Sequence, residues 1–173
     1  LVIGQNAFAG RGGSNAGKST LDSVEIANLV FMREEEKMAR DVYRELYAVW
    51  GRLVFANIAE SEQQHMDAMA SLLAKYNIDD PVKDDSTGVF TNTELGDMFD
   101  DLVARGETSV IEALKVGMLI EETDMLDIQQ AIEDTDQADI QKVYENLLRG
   151  SRNHLRAFYR NLENMGIVYT PEL

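Results

Sequence analysis

The sequence predicts an all-α fold: a four-helix bundle whose two hairpins are joined by a long crossover that carries an extra short helix. Three observations predict it. Apolar residues recur at a helical period of about 3.5 to 3.6 residues from Asp22 onward. The two prolines, Pro81 and Pro171, both fall outside the periodic stretches, so nothing interrupts long helices. The stretches come as two long segments in tight succession, a connection of about 30 residues, and two more long segments, the order of a bundle with a crossover.

The first long helix spans residues 22–50, where Asp22 and Glu25 have the spacing of a capping box and Gly51 supplies the stop. The second spans residues 52–77. A polar loop follows, containing Asp79, Asp80, Pro81, Asp84, Asp85, Ser86 and Gly88. The short helix covers residues 93–105, ahead of Gly106. The third and fourth long helices span residues 108–134 and 137–165, and Gly166 ends the last. Residues 21–166 thus form the bundle and residues 167–173 a short tail. A crossover of this kind sets the second and third long helices parallel.

Residues 1–20 are rich in Gly, Ser, Asn and Ala and read as a flexible lead-in. Leu1-Val2-Ile3 reads as the end of an apolar stretch, and Ala7-Phe8-Ala9 before Gly10 has the small-x-small form of a signal-peptidase site. Export to a periplasmic or extracellular location is therefore expected, with a cytoplasmic one still open. Residues 12–19 match the phosphate-loop pattern G-x4-G-K-S. That loop works only between a strand and a helix of a parallel sheet. No such context exists here, so nucleotide binding is not expected.

The chain carries a formal charge of −15, which repels nucleic acid and anionic lipid. Such a surface is ordinarily a solubility device. No run of about 18 apolar residues occurs, so no membrane insertion is expected. The absence of cysteine removes disulfides, iron–sulfur clusters and thiol catalysis. Only His65 and His154 are available for histidine chemistry.

The inward seams locate the chemistry. They read Leu29, Met32, Glu36, Ala39, Tyr43, Leu46, Trp50 on the first long helix and Phe55, Ile58, Glu62, His65, Met69, Leu72, Tyr76 on the second. The third gives Ile111, Leu114, Met118, Glu121, Met125, Ile128, Ile132, and the fourth Tyr144, Leu147, Ser151, His154, Phe158. Each seam is apolar except near its middle. There stand Glu36, Glu62 and Glu121, with both histidines of the chain. Glu62 and His65 form an E-x-x-H pair on one helix face.

A lone seam Glu is ordinarily solvated at a splayed position, and a lone His is ordinarily a satisfied core residue. Three carboxylates in one core are different, because each is costly to bury without a cation. The seams hold no Lys or Arg, so metal ions are the simplest compensation. Asp124, three residues after Glu121, is the candidate fourth carboxylate, and four would balance two divalent ions. Glu34, Glu35 and Glu122 read as a solvated face. Glu122 is the substitute for Glu121 if the phase is off by one. The seam methionines read as packing.

Axial levels support the first hairpin. Glu36 lies 15 residues before Gly51 and His65 lies 14 after it. The second hairpin fits less well: taking Thr135 as its turn, Glu121 is 14 before and His154 is 19 after. At about 1.5 Å per residue that is an offset of about 7 Å.

Glu36 with Tyr43 seven residues on, Glu62-x-x-His65, Glu121 and His154 together resemble the ferritin-like di-iron carboxylate superfamily, over residues 22–165. The stretches Arg33-Glu34-Glu35-Glu36-Lys37-Met38-Ala39-Arg40-Asp41-Val42-Tyr43 and Ser151-Arg152-Asn153-His154-Leu155-Arg156-Ala157-Phe158 are similar to a bacterial and archaeal ferritin-like family of unknown function. The resemblance implies a ferritin-like bundle with two iron or manganese ions bridged by glutamate. It also implies oxygen or peroxide as reaction partners, with ferrous iron oxidation a frequent activity. Ser151 departs from it by standing where a second E-x-x-H would have its Glu. That leaves an open coordination position, a weaker second site or a single-metal site as alternatives, with Asp124 as a replacement.

On this reading Glu62 bridges, Glu36 and His65 complete one ion, and Glu121, His154 and Asp124 hold the other. Tyr43 hydrogen-bonds a ligand or protects against oxidation, or simply packs. The rivals are metal sequestration or a structural ion without turnover, and a metal-free helical interaction module. A homo-oligomer would be needed for storage in a shell.

Overall fold

The structure, a computed structural model, describes residues 20–173. The lead-in as far as Ser19 lies outside the described residues, and with it the phosphate-loop look-alike and the processing pattern at Ala7-Phe8-Ala9. The described chain is all-helical, with five helices and no strand: α1 (Ser23–Trp50), α2 (Leu53–Tyr76), α3 (Thr93–Gly106), α4 (Val110–Glu133) and α5 (Ala138–Asn164). None of them is long and apolar enough to cross a membrane.

The caps follow from the sequence. Asp22 accepts from the Val24 and Glu25 backbone N–H groups at 2.8 and 2.9 Å, and Glu25 accepts in return from the Asp22 N–H at 2.8 Å. This reciprocal box satisfies donors that the first turn leaves unpaired. Gly51 stops α1 in the left-handed region at φ 61°, which a side chain would resist. With only Gly51 and Arg52 between them, α1 and α2 must fold back on each other.

Side-chain contacts fix how the remaining helices run. Thr135, just past α4, donates to Glu25 near the start of α1, whereas Tyr43 further along α1 reaches Glu121 in mid-α4. Helices α1 and α4 are therefore antiparallel. Tyr76 at the end of α2 donates to Asp139 at the start of α5, and Ser61 meets His154 further on. Helices α2 and α5 are antiparallel as well, which leaves α2 and α4 running the same way.

The core is divided. One apolar cluster includes Tyr43, Leu46, Phe55, Ile58, Leu114 and Phe158. The other includes Leu29, Met32, Met69, Leu72, Ile128 and Leu147. The polar residues of the seams lie between them along every long helix.

Helix α1 is buried far beyond its seam, since every residue from 32 to 43 is covered. The 77–92 connection and α3 lie over the side of α1 that faces away from the seam. Arg33 holds Asp80, and Arg40 holds Asp85. Lys37 donates to the Ser86 carbonyl at 2.9 Å and stands over the Phe90 ring. Asp41, fully buried, takes Lys37 at 2.6 Å and Arg40 at 2.8 Å. Glu34 accepts from the Thr91 and Asn92 N–H groups at 2.6 and 3.0 Å.

The solvated face expected at Glu34 and Glu35 is thereby corrected. The period of α1 alone could not reveal that a distant loop returns to cover it. Glu122 is half-buried and accepts from the Tyr169 hydroxyl at 3.1 Å. The 167–173 tail is tied down at that point and again where Glu172 pairs with Arg105 of α3.

Candidate metal centre

At the polar layer, Glu62 of α2 lies between the two histidines. Its Oε2 is 2.7 Å from His65 Nδ1 and its Oε1 is 2.9 Å from His154 Nδ1. Glu36 of α1 approaches His65 Nδ1 from the other side at 3.1 Å, and Glu121 of α4 lies 3.4 Å from His154 Nδ1. The two imidazoles stack with centroids 5.6 Å apart. Glu36, Glu62 and Glu121 are each no more than 2% exposed.

These residues make two triads that share Glu62: Glu36, Glu62 and His65, and Glu62, Glu121 and His154. In each, one potential ligand atom per residue lies within 4.8 Å of the others. Transition ions take nitrogen and oxygen ligands at about 2.1 Å, so small side-chain movements would bring each set onto one ion. The donor set of carboxylate and imidazole suits ferrous iron or manganese. Unpartnered buried atoms also fit a cation. Glu36 Oε1 and Asp124 Oδ1 have no hydrogen-bond donor, and His154 Nδ1 is aligned with neither nearby oxygen.

The remaining expected residues stand around the triads. Asp124 belongs to neither. Its Oδ2 accepts from the Ser151 hydroxyl, so serine holds Asp124 where a second E-x-x-H would have placed its own Glu. Tyr43 donates to Glu121 Oε1 at 2.6 Å, beneath the second triad. The offset expected between Glu121 and His154 closes because the first turn of α5 runs on beyond the end of α4. It meets the end of α2 there, where Asp139 pairs with Lys75.

Two residues escaped the sequence reading. Ser61 lies 2.9 Å from His154 Nε2 and fixes that ring from behind. It sits one place off the seam, beside Glu62, and a solvated serine would look the same in sequence. Gly150 leaves room for His65, since a Cβ there would stand 2.5 Å from Nε2.

Burial and mutual repulsion shape the protonation of the metal-free site. Burial raises Glu36 and Glu121 to about 7, with Glu62 adding to the push on both. Burial also acts to raise Glu62, but its contacts with His154 and His65 outweigh that and hold it well below the usual carboxylate range. Burial pulls His65 down, yet Glu36 and Glu62 beside it push it up to about 12. Against the same opposing effect, Glu121 and Glu62 push His154 up to about 10. Burial and the neighbouring Glu36 and Glu121 raise Asp124 well above its ordinary value.

The chain is 53% identical over 159 residues to the uncharacterized protein MJ0754 of Methanocaldococcus jannaschii, covering 92% of this chain and 86% of that one. The crystal structure of hypothetical protein MJ0754 from Methanococcus jannaschii is similar to this one with a TM-score of 0.88 at 53% identity. That match covers 92% of this chain and 91% of the other. The family described as an uncharacterized protein domain, DUF2202, matches residues 25–173. With residues 25–173 matched in this way, nearly the whole described length, the chain belongs to the DUF2202 family.

Proposed function

We propose that the protein is a ferritin-like four-helix bundle that holds two divalent ions, iron or manganese, with Glu62 shared between them. The observation that carries this reading is the pair of buried triads that have Glu62 in common. The parallel course of α2 and α4 supports the ferritin-like architecture, because only a long crossover allows it. Glu36 and His65 complete one position, and Glu121 and His154 the other. Iron or manganese held there would supply redox chemistry toward oxygen or peroxide, including oxidation of ferrous iron. The chain's own part is to exclude water with the two flanking apolar clusters, to release the histidine protons, and to orient the ligands. Ser151 orients Asp124 and leaves its Oδ1 free to join the second position. Tyr43 orients Glu121.

A metal-free module draws on one observation: each histidine already sits between two carboxylates, so the layer is internally paired. Elemental analysis separates the readings. Protein from iron- and manganese-supplemented cells is compared with the Glu62→Ala/His65→Ala double variant. About two ions per chain, lost in the variant, is the expected result for a bridged carboxylate site. About one ion would make the centre mononuclear. No ion, with unchanged stability in the variant, would leave a structural polar layer. Oxygen consumption on adding ferrous iron then separates turnover from sequestration.

A further inference from the structure

A third group of carboxyls adjoins the centre along the α1–α4 seam. Glu35 of α1 is 3% exposed, and its Oε2 has no hydrogen-bond partner. Its carboxyl lies within hydrogen-bond reach of Asp127 on α4, which is half-buried and open to solvent. One turn of α4 further in stands Asp124, whose Oδ1 is likewise buried and unpartnered. Among the described residues no lysine or arginine pairs with Glu35, Asp124 or Asp127. Two carboxylates in contact repel unless a proton or a cation lies between them.

The three do not close on one point as the triads do, so together they are no chelate. The opposite, α2–α5 side of the centre is different in kind. There Gly150 packs against the His65 ring and the two imidazoles stack. On the α1–α4 side a half-buried carboxyl, a buried carboxyl with a free oxygen and a second such carboxyl adjoin the triads, whereas on the α2–α5 side only the edges of His65 and His154 reach solvent.

We infer that Asp127, Glu35 and Asp124 form the entry route by which a divalent transition-metal ion passes from solvent to the centre. This rests on the two-ion reading above. Each step exchanges a hydrated ion between oxygen ligands, and no covalent bond is made. Glu35 supplies the relay position, since it is buried with one free oxygen, adjoins the half-buried Asp127 and has Asp124 as a charged neighbour.

The test follows uptake of Mn2+ alone by the metal-free full chain, read as loss of the free-ion electron paramagnetic resonance signal, together with final content. The variants are Asp127→Asn, whose half-exposed site tolerates the change, and Glu35→Gln. Helical circular dichroism and Tm confirm folding. Both variants are expected to reach the wild-type content but to load about tenfold or more slowly, the scale of electrostatic focusing of a charged ligand. Raised ionic strength should narrow the difference. Wild-type loading rates in both variants would overturn the route and leave the two-ion centre standing. Loss of content in either variant would overturn it also, by making that residue a ligand of the centre. Failure of the wild type to take up Mn2+ would overturn both readings.

Discussion

Glu36 and Glu121 contribute to the pH dependence of the metal-free protein between about pH 5 and 7. Folding raises each from an ordinary 4.5 to about 7, so the folded state binds more protons across that interval. Their stabilisation is fully present below about pH 4.5 and is lost as pH rises through about 7. Stability by urea denaturation is therefore expected to fall between about pH 5 and 7 from these two groups, and to go on falling above that as His65 and His154, held up to about 12 and about 10, keep protons that the unfolded chain has released. Metal binding runs the other way. Ions must displace the protons of Glu36, Glu121, His65 and His154, so Mn2+ affinity by calorimetry should rise with pH and release protons to the buffer. A pH-independent affinity would contradict the protonation scheme.

Gly150 allows a second test at a single residue. A helix-interior Gly→Ala change stabilises by about 1 kcal/mol where space allows. Here the new Cβ would meet only the tip of the His65 ring, at 2.5 Å. Gly150→Ala is expected to lower thermal stability and weaken Mn2+ binding together, because the ring must swing away from Glu36 and Glu62, the buried carboxylates it pairs, which costs more than the helix gains. Unchanged affinity would mean that the backbone of α5, not the ring, gives way.

At the scale of elements, the join between α1 and the 77–92 connection depends on buried charge. Asp41 accepts from Lys37, Arg40 and the Gly88 N–H. Asp41→Ala leaves two buried cations short of a partner, and breaking such a set costs about 3–5 kcal/mol. Hydrogen exchange should show the loss in residues 77–92 first, with the polar layer of α2 and α5 unaffected. Tyr43→Phe acts between α1 and α4. It removes the donor to Glu121 Oε1, at a cost of about 1–3 kcal/mol for an unsatisfied buried acceptor.

The helices themselves were legible in the sequence. Asp22, Glu25 and Gly51 mark the limits of α1 through local chemistry, and the seams of α2 and α5 keep the helical period on either side of their polar middle. Glu36, Glu62 and His65 could be seen to meet because one tight turn fixes their level. What could not be seen depended on distant chain. Glu34 and Glu35 stand in the charged run Arg33-Glu34-Glu35-Glu36-Lys37, as a wet face does, and only the returning loop and α4 bury them. Ser61 gave no signal because its role comes from His154 on another helix.

For the molecule as a whole, the polar layer divides one core into two and leaves like charges at its centre. Bound ions would remove that defect. At a free Mn2+ concentration about a hundred times Kd, one site adds about 2.7 kcal/mol of stability. For a chain of 173 residues this corresponds to a rise in Tm of about 5–10 °C. The Glu62→Ala/His65→Ala variant should show no such rise. Calorimetric scans of both proteins, with and without Mn2+, make the comparison.

The complete burial of residues 32–43 has a consequence for how the chain tolerates change. An ordinary amphipathic helix offers an outward position every third or fourth residue, where almost any side chain is accepted. Here that rhythm is suspended for three turns and resumes at the exposed Arg44. In a saturation library selected for folded protein, the profile along α1 would show a flat, intolerant plateau across those turns. Periodic permissiveness would return on either side of it.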